Sequence, residues 1–270
     1  MPAGRLFLID SFGFIFRAYH ARARSGAPPM RTRGGMSTEA VYIFHNMVKR
    51  LLERFTPDAV AAVFESEGPT FREQQFAAYK ANRAETPPDL IEQIPWCRKV
   101  LEALSIPVLE SPGFEADDVI GTLARRAAAE GWEVTIVSAD KDMLQLVGDR
   151  VKMLNPMKDD TLYDREGVRA FLGVYPEQVA DLLALKGDAV DNIPGAPGIG
   201  DKGAVQILEQ FGSLAAALDR AAEVQRKMYR ESLQQNREQI ELSKQLATID
   251  CAVPLQVDVA SLHRAEPDAE

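Results

Sequence analysis

Histidine and cysteine are scarce in this chain, with three of one and two of the other in 270 residues. Cys97 and Cys251 lie far apart with no paired spacing, so neither a disulfide framework nor a zinc site can be read from them. His20, His45 and His263 stand in ligand spacing with no group of carboxylates, which disfavours zinc further. Long apolar runs are missing too. The opening run Leu6-Phe7-Leu8-Ile9 is too brief for a signal-peptide core, and no stretch approaches a membrane span, so a cytoplasmic location is expected. Basic charge is also in short supply. A net charge of −9 argues at first against a nucleic-acid partner, since phosphate binding favours a basic surface.

What is present is 46% hydrophobic residues, enough for one substantial core or a core with a small appended domain. Apolar runs at 6–9, 59–64, 134–137 and 151–154 read as buried parallel strands. Between them, 38–55 is amphipathic with Ser37 as an N-cap, and 116–130 carries an apolar stripe that closes on Gly131. Alternating strands and helices predict an α/β fold with a mostly parallel sheet. Beyond about residue 165 helices take over, at 165–172, 177–186, 202–211, 214–220 and, longer and more polar, 222–246. The stretch 189–203 is rich in glycine and proline and reads as a turn inside this helical lobe.

The carboxylates fall in a pattern. Asp10, Glu65 and the pair Asp140 and Asp142 each follow a strand, at the sheet edge where open α/β folds bind ligands. Glu115, Asp117 and Asp118 open a helix, and Asp188 and Asp191 open the glycine-rich stretch. Each group has an ordinary explanation, namely helix-dipole acids, an acidic loop edge or turn-forming aspartates. Together on one face, nine carboxylates repel unless cations neutralise them. An oxygen-only donor set points to Mg²⁺ or Mn²⁺. Setting those nine acids aside leaves the rest of the chain neutral, so its acidity need not reject DNA.

At this point the residues resemble the 5′ nuclease domains of bacterial DNA polymerase I and, more distantly, phage 5′ nucleases and flap endonucleases. The resemblance runs from about Leu6 to Val257 through Leu8-Ile9-Asp10, Val63-Phe64-Glu65, Pro69-Thr70-Phe71-Arg72, Tyr79-Lys80-Ala81-Asn82-Arg83, Gly113-Phe114-Glu115-Ala116-Asp117-Asp118, Ser138-Ala139-Asp140-Lys141-Asp142, Gly187-Asp188-Ala189-Val190-Asp191-Asn192 and Pro197-Gly198-Ile199-Gly200. It implies a PIN-like α/β nuclease core over 1–165, with a helical gateway at 66–90. A helical DNA-binding lobe over 166–255 would contain a helix-hairpin-helix element at 179–211, followed by a polar tail at 256–270. A monomer is expected, and the same segment can be joined to a polymerase region in a longer protein.

The resemblance further implies two Mg²⁺ or Mn²⁺ ions held by Asp10, Glu115, Asp117, Asp140 and Asp142, with Asp118, Asp188 and Asp191 at the remaining acidic positions. Glu65 departs from the family's usual aspartate, leaving direct, water-mediated or weakened ligation open. Lys80 and Arg83 would contact the scissile phosphate, and Arg72 and Tyr79 the single strand, with Tyr79 stacking on a base. Arg17 matches a family position in an acid-free loop, 17–33, that also holds Arg22, Arg24, Arg31 and Arg33. Gly198, Gly200 and Lys202 would grip duplex phosphates, where relatives often also bind a monovalent cation such as K⁺. The implied activity is metal-dependent 5′–3′ exonuclease and 5′ flap endonuclease cleavage of branched DNA, in removal of RNA primers and flaps. Two other readings stand beside it: a branched-DNA binding module with weakened chemistry, hinted at by Glu65, and an aspartate-nucleophile phosphatase built on Asp140-Lys141-Asp142.

Overall fold

The apolar runs form strands because each can bury side chains on both faces of one sheet. The computed structural model describes residues 3–23 and 29–264, with the side chains of residues 22 and 23 left out. Six strands make up the sheet: β1 (Arg5–Asp10), β2 (Ala59–Val63), β3 (Val108–Leu109), β4 (Glu133–Val137), β5 (Val151–Asn155) and β6 (Thr161–Tyr163). Their spatial order is β3-β2-β1-β4-β5-β6, and all pairings are parallel except that of β6. Side-chain alternation sends Leu6 and Leu8 to one core and Phe7 and Ile9 to the other, and splits β2 in the same way.

The first half of the chain contributes α1 (Ser11–Ala23), α2 (Glu39–Phe55), α3 (Phe71–Gln75), α4 (Pro88–Ile91), α5 (Ile94–Ala103) and α6 (Ala116–Ala129). The second half adds α7 (Arg165–Leu172), α8 (Val179–Lys186), α9 (Asp201–Phe211), α10 (Leu214–Asp219), α11 (Lys227–Gln235) and α12 (Arg237–Ala247). Buried residues of α1, α2 and α5 close one face, while α6 and the later helices close the other. Because β1 is flanked by β2 and β4, chain connections diverge on either side of it. That is the switch point where open parallel sheets leave a crevice beyond their C-terminal edge.

Several local expectations are corrected. Residues 17–23 are helical, not loop, because α1 starts directly after β1. Arg24 lies outside the described residues, as does the side chain of Arg22. The α2 N-cap is Thr38, with no side-chain cap bond, and Ser37 instead bridges to Arg31. The two-residue β3 and three-residue β6 were too short to show a period, and α5 also went unseen. Within the gateway only α3 and the start of α4 are helical. The long polar helix is broken at Asn236, whose φ of −122° is not helical.

The expected tail is not a tail through its first half. Val259 and Leu262 are buried, His263 bridges to Ala59, and Arg126 holds the carbonyls of Leu255 and Val257. Its last six residues, 265–270, lie outside the described residues. Among the described residues no helix is long and apolar enough to cross a membrane.

Candidate functional site

Asp10 ends β1 at the switch point. Its Oδ1 accepts from the Gly13 backbone N–H at 3.2 Å and its Oδ2 from the Ser138 hydroxyl at 2.7 Å. Ser138 Oγ in turn accepts from the Asp140 N–H at 3.0 Å, and Asp140 Oδ1 accepts from the Asp142 N–H at 2.9 Å. One short relay therefore orients the carboxyls of Asp10 and Asp140 across two adjacent strands and fixes the backbone that carries Asp142. Ser138 was not singled out from the sequence, although a small hydroxyl residue two positions before a strand-end aspartate is the available signal.

The helix α6 brings the second group. Asp117 faces the same region as Asp10, Asp140 and Glu65, which all act on its charge. Asp118 does not. It is fully buried, and its two oxygens accept from Arg72 Nη1 and Nη2 (both 2.7 Å), from the Glu115 N–H (3.1 Å) and from the Asp250 N–H (2.8 Å). With its lone pairs so occupied, Asp118 is corrected from metal ligand to structural acid.

Arg72 is corrected with it. Only 2% of its surface is exposed, so it cannot meet a DNA strand, and its guanidinium also holds Glu115 Oε2 at 2.8 Å. Tyr79 is buried as well, with its hydroxyl donating to Glu115 Oε2 at 3.1 Å, so its ring is not available for stacking on a base. Both residues belong to the packing beneath the site because a buried carboxylate pair needs donors close by.

Lys80 and Arg83 lie among the carboxylates. Lys80 Nζ donates to Glu115 Oε1 and lies 3.9 Å from Asp191 Oδ2, while Arg83 Nε donates to Asp191 Oδ1 at 3.1 Å. Lys80 adopts a left-handed backbone, φ +55°, held by its N–H on the Asp191 carbonyl. Such a conformation costs roughly 1–3 kcal/mol in a non-glycine residue and is common where a side chain is aimed for function. Asn82 and Asn192 fasten the gateway to the turn that carries Asp188 and Asp191, through the carbonyls of Ala189 and Ala78. Asp188 Oδ1 accepts from the Val190 N–H at 2.7 Å, leaving its other oxygen open.

The electrostatics show what the acids lack. Burial raises the pKa of Asp10, and burial followed by repulsion from Asp140 and Asp10 raises that of Asp117 well above the aspartate range. Asp140 is exposed by area, yet the protein packed around its carboxyl raises its pKa too. Burial pushes Glu65 and Asp142 each up to about 7, with Asp140 adding to the effect on Asp142. Burial works to lower the Lys80 pKa, but Glu115 and Asp191 outweigh it and raise it.

Among the described residues no three acidic, histidine or cysteine side chains already stand as a closed ligand group. Lys80 and Arg83 serve as internal counter-charges there. Even so, Asp142 Oδ1 is buried with no hydrogen-bond partner among the described residues, and the donors are all hard oxygens. Both observations fit a divalent cation. Glu65 is partly committed, since its Oε2 accepts from the Ala116 N–H at the start of α6 at 3.1 Å, a reach its longer arm permits.

These shifts set a sign. Carboxyls with folded pKa values near 7, against 3.8 and 4.5 for their ordinary values, bind more protons in the fold than in the unfolded chain. Their contribution is present at acid pH and lost as pH rises to about 7. The melting temperature in EDTA is therefore expected to fall between pH 5 and pH 8, and Mg²⁺ at pH 8 to restore it by binding the folded state. An unchanged melting temperature across that range would mean that Lys80 and Arg83 neutralise the cluster unaided.

The turn 187–200, which carries Asp188 and Asp191, joins α8 to α9. At Gly195, φ +66°, a Cβ would lie 2.4 Å from the Gly187 nitrogen, so the tight hairpin needs glycine there. Gly200 caps α9 with open space around the position of a Cβ, and Gly198 and Lys202 are exposed beside it. Arg17 is not brought to the carboxylates. It lies on α1 with Nη1 donating to the Pro156 carbonyl at 2.8 Å.

Known proteins resemble this chain in sequence and fold. Residues 5–173 match the model of the 5′-3′ exonuclease N-terminal resolvase-like domain, and residues 174–270 that of the 5′-3′ exonuclease C-terminal SAM fold. DNA polymerase I of Rhizobium leguminosarum is 43% identical over 95% of this chain, which spans only 26% of that protein's length. A 5′-3′ exonuclease of Aquifex aeolicus is 37% identical, covering 97% of this chain and 88% of its own. In fold, the chain resembles the T5 5′-exonuclease with divalent metal ions (zinc) bound, at a TM-score of 0.75 and 22% identity over 91% of this chain and 90% of that one. The sheet is thus the PIN-like, resolvase-type core and the later helices its SAM-fold companion. Taken with the sequence match along nearly its whole length, this places the chain in the 5′-3′ exonuclease family.

Proposed function

We propose that the chain is a divalent-metal-dependent 5′–3′ exonuclease and 5′ flap endonuclease. Its substrate would be branched or flapped duplex DNA, in the removal of RNA primers and flaps during replication and repair. The observation that supports this reading is the delivery of acids from neighbouring strand ends, one helix start and one hairpin to a single sheet edge, with Lys80 and Arg83 set among them. Asp10, Glu115, Asp117, Asp140, Asp142, Asp188 and Asp191 would hold Mg²⁺ or Mn²⁺, and Glu65 keeps one oxygen for the same purpose. Two such ions supply activation of the attacking water and stabilisation of the leaving oxygen.

The protein's own groups do the rest. With Glu115 and Asp191 committed as ligands, Lys80 Nζ and the Arg83 fork would be free to turn to a phosphate, where negative charge grows in the transition state. The Ser138 hydroxyl works against burial at Asp10 by lowering its pKa and pins the backbone at Asp140, and the stapled gateway holds Lys80 against the hairpin turn. Gly198, Gly200 and Lys202 offer backbone and charge to a duplex without reading its sequence, and a K⁺ ion at that hairpin belongs to the same reading.

A 5′-labelled flap duplex tests the proposal directly. A short 5′ product is expected with Mg²⁺ or Mn²⁺ and none with EDTA. Tight flap binding with no cut in any metal would replace this reading with that of a DNA-binding module.

A further inference from the structure

Beside the carboxylates lies a cavity of 310 Å³ whose lining changes character from one end to the other. Arg83, Asp140, Asp142, Asp188 and Asp191 form the reacting end, while Lys158, Tyr163 and Phe171 form an aromatic end. Phe171, on the last turn of α7, is 43% exposed, and Val190, 67% exposed, lines the same cavity. Singly exposed apolar side chains are ordinary, but here two of them line one cavity together with the reacting groups, where they offer apolar contact to a ligand held at both ends.

The aromatic end is built. Tyr163 is buried and fixes Phe171 from beneath, with ring centroids 5.3 Å apart and a tilt of 42°. Lys158 Nζ covers Phe171 at 4.0 Å from the ring centroid. Lys158 is an exposed side chain on the turn between β5 and β6, and an exposed cation–π contact is weaker than the stacking of a nucleobase on an aromatic ring. A base arriving at Phe171 therefore displaces the ammonium, which is then free to meet the phosphate of the same nucleotide.

We propose that this end of the cavity takes one unpaired nucleobase of the strand being cut, next to the scissile phosphate, stacked on Phe171 with Lys158 on its backbone. The inference rests on the nuclease reading above, which supplies a strand at the reacting end. It goes beyond that reading by assigning Phe171, Tyr163 and Lys158, none of which belongs to the acidic cluster or the gateway. Stacking of this kind tolerates every base, as a nuclease that ignores sequence requires.

The test uses flap DNA carrying 2-aminopurine at successive positions around the junction, bound with Mg²⁺ to the full chain in the Asp140→Asn background so that the strand stays intact. Fluorescence should be quenched at one position next to the scissile phosphate. Phe171→Ala should abolish that quenching and weaken binding between about fivefold and a hundredfold, while Phe171→Tyr retains both. Lys158→Ala should lower the slope of log affinity against log salt by about 1 and leave the quenching in place. Equal affinity and equal emission at every position in the parent and in Phe171→Ala would overturn the assignment. A native chain that neither binds nor cuts the flap in any metal would overturn the nuclease reading itself, which separates the two failures.

Discussion

Asp140→Asn is expected to lower flap cleavage by more than about 10³-fold, because a correctly held ion contributes several kcal/mol of transition-state stabilisation and this carboxylate faces the centre of the cluster. The substitution is conservative in shape. Asparagine keeps the oxygen that accepts from the Asp142 N–H at 2.9 Å, so the turn after β4 should survive and the melting temperature in EDTA should not fall. It should rise at pH 8, since one of the mutually repelling carboxylates is gone. Loss of cleavage together with equal or greater metal-free stability is the signature of a carboxylate kept for a cation. Cleavage within tenfold of the parent would remove Asp140 from the proposed ligands.

The second large effect concerns stability. In Arg72 all five N–H donors are engaged: Nε with the Leu246 carbonyl at 3.0 Å, Nη1 with Glu115 and Asp118, and Nη2 with Asp118 and the Thr248 carbonyl at 2.7 Å. This one side chain ties α3, the start of α6 and the end of α12 together. Arg72→Met would leave Asp118 buried without its cation and Glu115 with Lys80 alone, and loss of one partner costs about 3–5 kcal/mol in comparable buried pairs. For a chain of this size the melting temperature should drop by roughly 6–20 °C. Arg72→Lys should recover little, because three donors on a flexible arm cannot reproduce a planar fork of five. A fall of less than about 2 °C in Arg72→Met would show that water or protonation replaces the guanidinium at no penalty. Were Arg72 a DNA contact, as its place in the sequence suggested, the substitution would instead leave the fold untouched and weaken binding.

The contrast between these two residues shows how far the sequence could be read. Asp140 follows an apolar run with a clear strand signature, and the structure puts it at the sheet edge where such a run must end. Four of the six strands, α6 and α7 were visible for the same reason, since burial on one or both faces writes its period into neighbouring residues. The β3 and β6 strands were not, because two or three residues contain no period to read. Residues 256–264 look polar enough for a tail, yet Val259 and Leu262 fill a gap that only the assembled core presents.

Local pattern therefore determined the layered α/β architecture, the ranks of carboxylates at strand ends and the oxygen-only chemistry they allow. Tertiary structure decided which charges are available. Arg72 meets Glu115, Asp118, Leu246 and Thr248 at separations of 43, 46, 174 and 176 residues, and no short window of sequence contains such a neighbour. Whether an arginine reaches solvent or neutralises a buried acid, and whether an aspartate keeps a free oxygen, depends on which partner lies within about 3 Å after folding. For Asp118 that partner is Arg72 and for Asp142 Oδ1 there is none among the described residues, and on that difference rests the proposal that Asp142, not Asp118, holds an ion.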